Sequence, residues 1–548
     1  MNEPSLSANA GLESLDYAAI AFYFVLTFGI ALWFGRKQKN TEDFFVGGRH
    51  MPWFAVGLSI LATLFSTLSY LGMPGEMIKN GFGVFAGLLA IPASMSVVLF
   101  VWIPFFMRLR MTSAYEYLEK RFNYSVRLLG AGLFILLRLG WMSMVIFAAS
   151  MALDRIKGPD IQMLSGDDIY WWIGIVGVIA AIYTSVGGIQ AMIWTDVLQC
   201  LLLLAGVILV IGSVMYFDGT GPSDWWEIAS TTPGRNNLPP VFSWDVTVRV
   251  TIVFAIVNNF FWTICTHGSD QVVLQRYFTT SSLKNARRSY LSNLFVEITM
   301  ASLLALCGLA LLAYYLNHAE LVPAGLSVIK DADKLFPHFL GHSLPAGVAG
   351  LIISAFLCDA IQTLESGVNS ITAVATNDIV PRLRHGRERI MSDLMFARLL
   401  SIVITLAVTC NAYFVAYKAE SIGETIVGMM PKFFNMFVGP LSALFIIGMF
   451  FPRCTARSAI PGALSGFLVS IIWSWWAEIL GTGILGVNEA TGKAIVPTFL
   501  LAIAVPSITS LSVAWILSWI VETGEDHSGR KYSWKYVTSQ PIPEETPS

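Results

Sequence analysis

Thirteen apolar stretches recur along the chain, near residues 17–35, 53–74, 82–107, 128–153, 169–186, 190–216, 247–269, 291–316, 346–375, 396–416, 424–450, 459–479 and 497–521. Most are long enough to cross a bilayer as helices, so the pattern predicts an all-α integral membrane protein with about thirteen spans. Two spans carry polar positions at helical spacing. In the second, Thr63, Ser66, Thr67 and Tyr70 fall at i, i+3, i+4 and i+7, one helical face, and Gly72-Met73-Pro74-Gly75 follows. The span is therefore expected to be interrupted at that glycine–proline run. In the ninth, Asp359, Gln362, Thr363 and Ser366 repeat the spacing, with Asn369 and Ser370 beyond.

Charges inside these stretches narrow the function. Asp196, Asp359, His267, Lys432 and Arg138 lie in or beside apolar runs, where a charge costs roughly 2.5 kcal/mol or more unless it faces a polar pathway or a partner. A broken helix exposes carbonyls that a cation satisfies, and the ninth-span set of carboxylate, amide and hydroxyl suits a hard cation or a proton relay. The plainer reading is an interhelical hydrogen-bond cluster. For Lys432, buried within Pro431-Lys432-Phe433-Phe434-Asn435, snorkelling is difficult, so it needs an anion, either Asp359 or a substrate carboxylate. A lone His267 also fits a hydrogen-bonded packing role. Asp196 fits either an interfacial residue or part of an ion exit path, and Glu365 lies off the polar stripe with no role assigned.

Composition agrees with a membrane protein: 55% hydrophobic and 13% charged over 548 residues, mean hydropathy +0.65. Net charge is −2, and the basic clusters sit in short loops, which argues against a nucleic-acid partner. The six scattered cysteines have neither metal-ligand spacing nor a paired pattern, so structural disulfides, zinc and other transition metals are not expected. Residues 1–16 contain Glu3, Glu13 and Asp16 but no Lys or Arg, the wrong start for a cleaved signal peptide.

Alternate loops are basic: Arg36, Lys37, Lys39 and Arg49; Arg108, Arg110, Lys120, Arg121 and Arg127; Arg382, Arg384, Arg387 and Arg389. The intervening ones hold Asp154, Asp160, Asp167 and Asp168, or Asp218, Asp224, Glu227 and Asp245. This asymmetry puts the N-terminus outside and the C-terminus in the cytoplasm of a multi-pass protein of the plasma (inner) membrane. The longest external loop, near 217–246, and the polar tail, 522–548, are too small for a catalytic or signalling domain.

Several segments resemble the solute:sodium symporter family. They are Asp43-Phe44-Phe45-Val46-Gly47-Gly48-Arg49 with Pro52-Trp53 and Gly57-Leu58-Ser59 through Ala62-Thr63; Thr112 through Phe122; Trp194-Thr195-Asp196; Gln271 through Arg276; Asn369-Ser370; and Gly439-Pro440. Tyr70 through Glu76 and the Thr112 to Phe122 run look most similar to the branch of iodide, monocarboxylate and multivitamin symporters. The resemblance implies a LeuT-type 5+5 inverted repeat, here 53–216 and 247–450, with an accessory helix at 17–35 and two more within 459–521.

It also implies a sodium site made by the backbone carbonyls of Ala62 and Phe65 with Asp359, Gln362 and Thr363, and an auxiliary or exit site at Asp196. The family usually has a small residue, Ser, and Ser or Thr at the three ninth-span positions, so only Thr363 keeps the expected hydroxyl. The added carboxylate is compatible with tighter sodium binding, with proton coupling, or with pairing to Lys432. Substrate-site positions carried over are Ser66, Ser69, Trp141, Thr263, Thr266, His267 and Lys432. The sugar contacts of sugar-transporting members are replaced by Leu64, Leu68 and Ser69, and Lys432 favours an anionic solute such as a carboxylate.

The sequence thus predicts a sodium-coupled symporter of a small organic solute working by alternating access, with no organic cofactor and no obligate protein partner besides the lipid bilayer. Proton-coupled or ion-independent transport, a non-transporting sensor of the same fold, and an intramembrane enzyme using Asp196 and Asp359 are the alternatives.

Overall fold

The computed structural model describes residues 13–36, 46–109, 111, 113–156, 168–184, 188–233, 235, 238–323, 325–380, 393–422, 426–481, 484–487, 494–522 and 529–541. Lys37, Lys39, Asp43, Phe44, Phe45, Arg110, Thr112, Asp160, Asp167, Arg382, Arg384, Arg387 and Arg389, on which parts of the charge pattern and the family motifs rest, lie outside the described residues.

The described chain is helical. Ten of its helical runs are long and apolar enough to cross a membrane. Three predicted spans do not appear in that form: 53–74 is broken, while 169–186 and 247–269 are shortened to Ile169–Ile182 and Ile252–Ser269.

Helix α1 (Ser14–Gly35) is followed by two short helices, α2 (Trp53–Leu64) and α3 (Thr67–Asn80), that make the broken second span. The break falls at Phe65–Ser66, not at Gly72–Gly75 as the sequence suggested, and Pro74 sits inside α3. The glycines there serve close packing instead. A Cβ at Gly75 would collide with Asp333, and one at Gly72 would press on Val427 at 3.2 Å.

After a 3-10 segment, Gly81–Ala90, helix α4 is assembled from Ile91–Val97, a π turn over Val98–Trp102 and Ile103–Leu109. Then come the short α5 (Glu116–Arg121) and the long α6 (Tyr124–Ile156), α7 (Asp168–Thr184) and α8 (Ile189–Asp218).

A second discontinuous pair follows. Helices α9 (Pro222–Thr231) and α10 (Ile252–Ser269) precede α11 (Gln271–Phe278), and Asp270, in extended geometry, separates α10 from α11. The Asp270 side chain accepts the Val272 amide at 3.0 Å and so caps α11. It also pairs with Arg138 of α6, both side chains being at most 2% exposed.

The remaining helices are α12 (Leu283–Asn317), the short α13 (Ala332–His342), α14 (Val348–Val374) and α15 (Asp393–Ile422). The next span, α16, combines Ile426–Met430, a π turn over Pro431–Asn435 and Met436–Phe450, and α17 (Ala456–Ser474) and α18 (Ala504–Val521) close the bundle.

Helix α14 lies at the centre, with every residue from Cys358 to Val374 buried. Its start is held by Asp16 of α1, which accepts the amides of Gly347 at 2.7 Å and Gly350 at 2.6 Å. These are two of the orphan donors of a helix N-terminus.

The family-like segments converge on the α10–α11 break. Gln271 accepts the Ala114 amide at 2.7 Å, and the Tyr115 hydroxyl donates to the Ser269 carbonyl at 3.0 Å. Arg121 donates to the Gly448 carbonyl at 2.9 Å at the end of α16. Gly47, Gly48 and Arg49 form a left-handed turn (φ 58°, 66° and 62°), cheap for the two glycines, and Gln190 of α8 donates to the Gly47 carbonyl at 3.0 Å.

Candidate cation and solute sites

At the first break, Phe65 (φ −102°, ψ 57°) and Ser66 (φ −67°, ψ 176°) leave helical geometry. The Phe65 amide still reaches the Leu61 carbonyl at 2.7 Å, but among the described residues no backbone amide reaches the carbonyls of Ala62, Thr63, Leu64 or Phe65. Carbonyls left open inside a bundle call for a cation or a polar group.

The predicted polar face of the second span is split by this break. Thr63 donates back to Ser59 at 2.9 Å, Tyr70 to the Leu203 carbonyl at 3.3 Å, and Thr67, fully buried, donates to Asp359 at 2.7 Å. The hydroxyl of Ser66, which opens α3, has no partner in the protein.

Helix α14 packs on both α2 and α3. On it, both amide atoms of Gln362 and the Thr363 hydroxyl are buried with no hydrogen-bond partner in the protein. A buried polar group left unmatched costs about 1–3 kcal/mol, and the Gln362 Oε1 and Thr363 Oγ1 oxygens, with the Asp359 carboxylate on the same helix and the open carbonyls on the α2 it packs against, are oxygen donors of the kind a hard cation takes.

Asp196 is placed differently. Its carboxylate accepts Ser59 Oγ at 2.5 Å and Arg276 at 3.1 Å, and Arg276 also donates to Ser59 at 2.7 Å and to Ser366 at 2.8 Å. This closed, buried network ties α2, α8, α11 and α14 together, so Asp196 is engaged by an arginine rather than open to a cation. Glu365, on the same helix, has neither carboxylate oxygen partnered.

Between the two broken helices lies a cavity of about 190 Å³. Six of the seven residues assigned to solute binding line it: Ser66, Ser69, Trp141, Thr263, Thr266 and His267. Trp141 stacks on Phe434 with ring centres 4.9 Å apart, and its Nε1 has no partner. His267 shares a 2.7 Å hydrogen bond with Tyr277, in keeping with a packing role.

Lys432 is the exception. It lines a separate cavity with Lys79, Arg249 and Glu478, donates to Glu478 at 2.8 Å and lies 5.5 Å from the Trp475 ring centre. It meets neither Asp359 nor the central cavity. The π turn that contains it adds a residue to the helical turn and shifts the register of the neighbouring side chains.

The central cavity also has walls that the sequence reading passed over: Glu76, Asn258, Asn259, Asn293, Glu297 and Asn435. Glu297 was findable, since it interrupts the apolar run of the eighth predicted span. Glu76 is held by Arg249 through bonds of 2.6 and 3.0 Å.

Residues 44–469 match the family described as the sodium:solute symporter family. The chain belongs to that family. This symporter is 30% identical over 470 residues to the sodium/sialic acid symporter SiaT of Proteus mirabilis, covering 84% of this chain and 88% of that one. It is 29% identical over 487 residues to the human sodium/iodide cotransporter, covering 88% and 72% respectively.

Among solved structures, it superposes on the substrate-bound, outward-open state of a sodium-coupled sialic acid symporter with a TM-score of 0.77 at 26% identity, over 93% of this chain and 98% of that one. Mhp1, a nucleobase-cation-symport-1 family transporter, shares the fold at a TM-score of 0.50 and 14% identity, over 91% and 99%. The symporter is therefore a multi-pass, LeuT-type membrane transporter and not an enzyme, with sodium coupling characteristic of its family.

Proposed function

We propose that this chain is a secondary active symporter that carries a small organic solute with sodium. The cation is held by the carbonyls of Ala62 and Phe65 with Gln362, Thr363 and Asp359, and the solute by the cavity that Ser66, Ser69, Trp141, Thr263, Thr266 and His267 line. The observation that carries the reading is that α14, with the orphaned amide of Gln362 and hydroxyl of Thr363, packs on the helix whose last carbonyls, Ala62 to Phe65, meet no backbone amide among the described residues. Residues 53–216 and 247–450 act as the two inverted repeats, rocking about this centre, with the N-terminus outside and the C-terminus in the cytoplasm.

The solute carries a carboxylate on this reading. The support no longer comes from Lys432. It comes from relatives whose names specify sialic acid and monocarboxylates, and from the cavity itself. There the N-terminus of α3, the free hydroxyl of Ser66 and the free Trp141 Nε1–H present donors to an anion. Asp196 with Arg276 acts as a lock between helices rather than as a cation ligand.

The test is the melting temperature of the purified protein in sodium, potassium and choline chloride. An ion that binds only the folded state must raise it. A rise specific to sodium supports the reading, whereas equal melting in all three salts, or a shift that follows pH alone, removes it.

A further inference from the structure

Glu297 projects from the middle of α12 into the central cavity. The single hydrogen bond of its carboxylate is a 3.4 Å contact from the Asn293 amide one turn away, and among the described residues no Lys, Arg or His lies within ion-pair distance of it. The other carboxylate of this cavity, Glu76, is already matched by Arg249. The Asn293 Oδ1 and Asn435 Oδ1 acceptors are also buried without partners. The cavity therefore holds unmatched acceptors, Glu297 with Asn293 and Asn435, as well as unmatched donors at Ser66 and Trp141.

Resting on the solute site proposed above, we propose that Glu297 is the specificity-determining residue for a solute bearing an ammonium group as well as a carboxylate, a zwitterion. A carboxylate facing a largely apolar cavity without a counter-charge is costly, and a bound ammonium supplies that counter-charge through a charge-assisted hydrogen bond. Trp262 and Phe85, which also line the cavity, offer aromatic faces that favour a cation. A simple carboxylate would engage the Ser66 and Trp141 donors and leave Glu297 unmatched. A zwitterion satisfies both the donors and Glu297.

The test uses full-length purified protein in sodium chloride and pairs of compounds that differ by the amine: norleucine against hexanoate, proline against cyclopentanecarboxylate, and γ-aminobutyrate against butyrate. Thermal-shift titration gives an apparent Kd for each. At least one amine-bearing member is expected to bind the wild type on the order of ten- to a hundredfold more tightly than its deaminated partner, the range of a hydrogen bond to a charged group. In Glu297→Gln that preference is lost while the rise caused by sodium alone persists, which also shows that the variant is folded.

The proposal is overturned if the deaminated acids bind the wild type as well as their amine forms, if no amine-bearing compound stabilises it, or if Glu297→Gln keeps the preference. Loss of the sodium response in Glu297→Gln would overturn it as well, making the carboxylate a cation ligand. Absence of a sodium response in the wild type would instead refute the symport reading, not the amine preference.

Discussion

Replacing Thr363 by Val keeps the shape of the side chain and removes a hydroxyl that is 3% exposed and unpartnered in the protein. If the hydroxyl exists to hold a cation, its deletion has opposite effects with and without that cation. In choline chloride, removing an unmatched buried group recovers part of a penalty of about 1–3 kcal/mol, so Thr363→Val melts at or above the wild type. In sodium chloride the ligand is missing. Sodium at about a hundred times its Kd stabilises by roughly 2.7 kcal/mol, and a loss of about 1.4 kcal/mol of binding energy weakens the Kd about tenfold. At the same salt concentration the stabilisation then falls to roughly half, a value that follows from the same logarithm. Gln362→Leu, which removes two orphaned atoms, is expected to act in the same direction. The assay is a sodium titration of the melting temperature at constant ionic strength. The reasoning is refuted if Thr363→Val melts several degrees below the wild type in choline and keeps the full sodium shift, because the hydroxyl would then serve packing alone.

Three further outcomes follow from the geometry. Asp270→Asn leaves the buried Arg138 without its counter-charge and should cost about 3–5 kcal/mol, seen as a large fall in melting temperature and in the yield of folded protein; a fall within about 0.5 kcal/mol would contradict the pairing. Lys432→Gln removes the pair with Glu478, which is 43% exposed, a class of pair worth about 0–1 kcal/mol, and leaves the lining of the central cavity intact, so sodium response and solute binding should match the wild type. Burial pushes Asp333 of α13 up to about 7, against the pull of the Ile426 amide that donates to it. Its folded form therefore holds a proton that the unfolded chain releases, and stability declines as pH rises between roughly 4 and 7. Asp333→Asn should gain in melting temperature relative to the wild type over that window, and an unchanged difference from about pH 5 to about pH 8 would sink the assignment.

Much of this architecture was legible because membrane helices announce themselves by length and apolarity, and because the polar spacing on α14 needs only a regular helix to converge. The interruption of the second span was expected, but its place was not. Leu64-Phe65-Ser66 contains no residue that forbids a helix, and the neighbouring Gly72, Pro74 and Gly75 look far more disruptive. The chain breaks where α14 supplies the Asp359 to Thr67 bond and keeps the glycines for tight contacts with α13 and α16.

The second break, at Asp270, was hidden for the same reason: its cause is a partner 132 residues away, Arg138. Lys432 falls outside the central cavity because it sits in a π turn, Pro431–Asn435, whose added residue shifts the register that an even helix would have given it. Glu297 is visible in the sequence only as a charge inside an apolar span, and its meaning depends on the fold, which places it in one cavity with Ser66 and Trp141.

The central claim, that the Phe65–Ser66 break and α14 together form a sodium site, is tested most directly by equilibrium binding of radiolabelled sodium to the purified protein, beside Thr363→Val and Gln362→Leu. The account predicts saturable binding to the wild type, competed by unlabelled sodium but not by potassium, and weakened about tenfold or more in each variant. Saturable binding that both variants retain at wild-type affinity would place the cation elsewhere and contradict it.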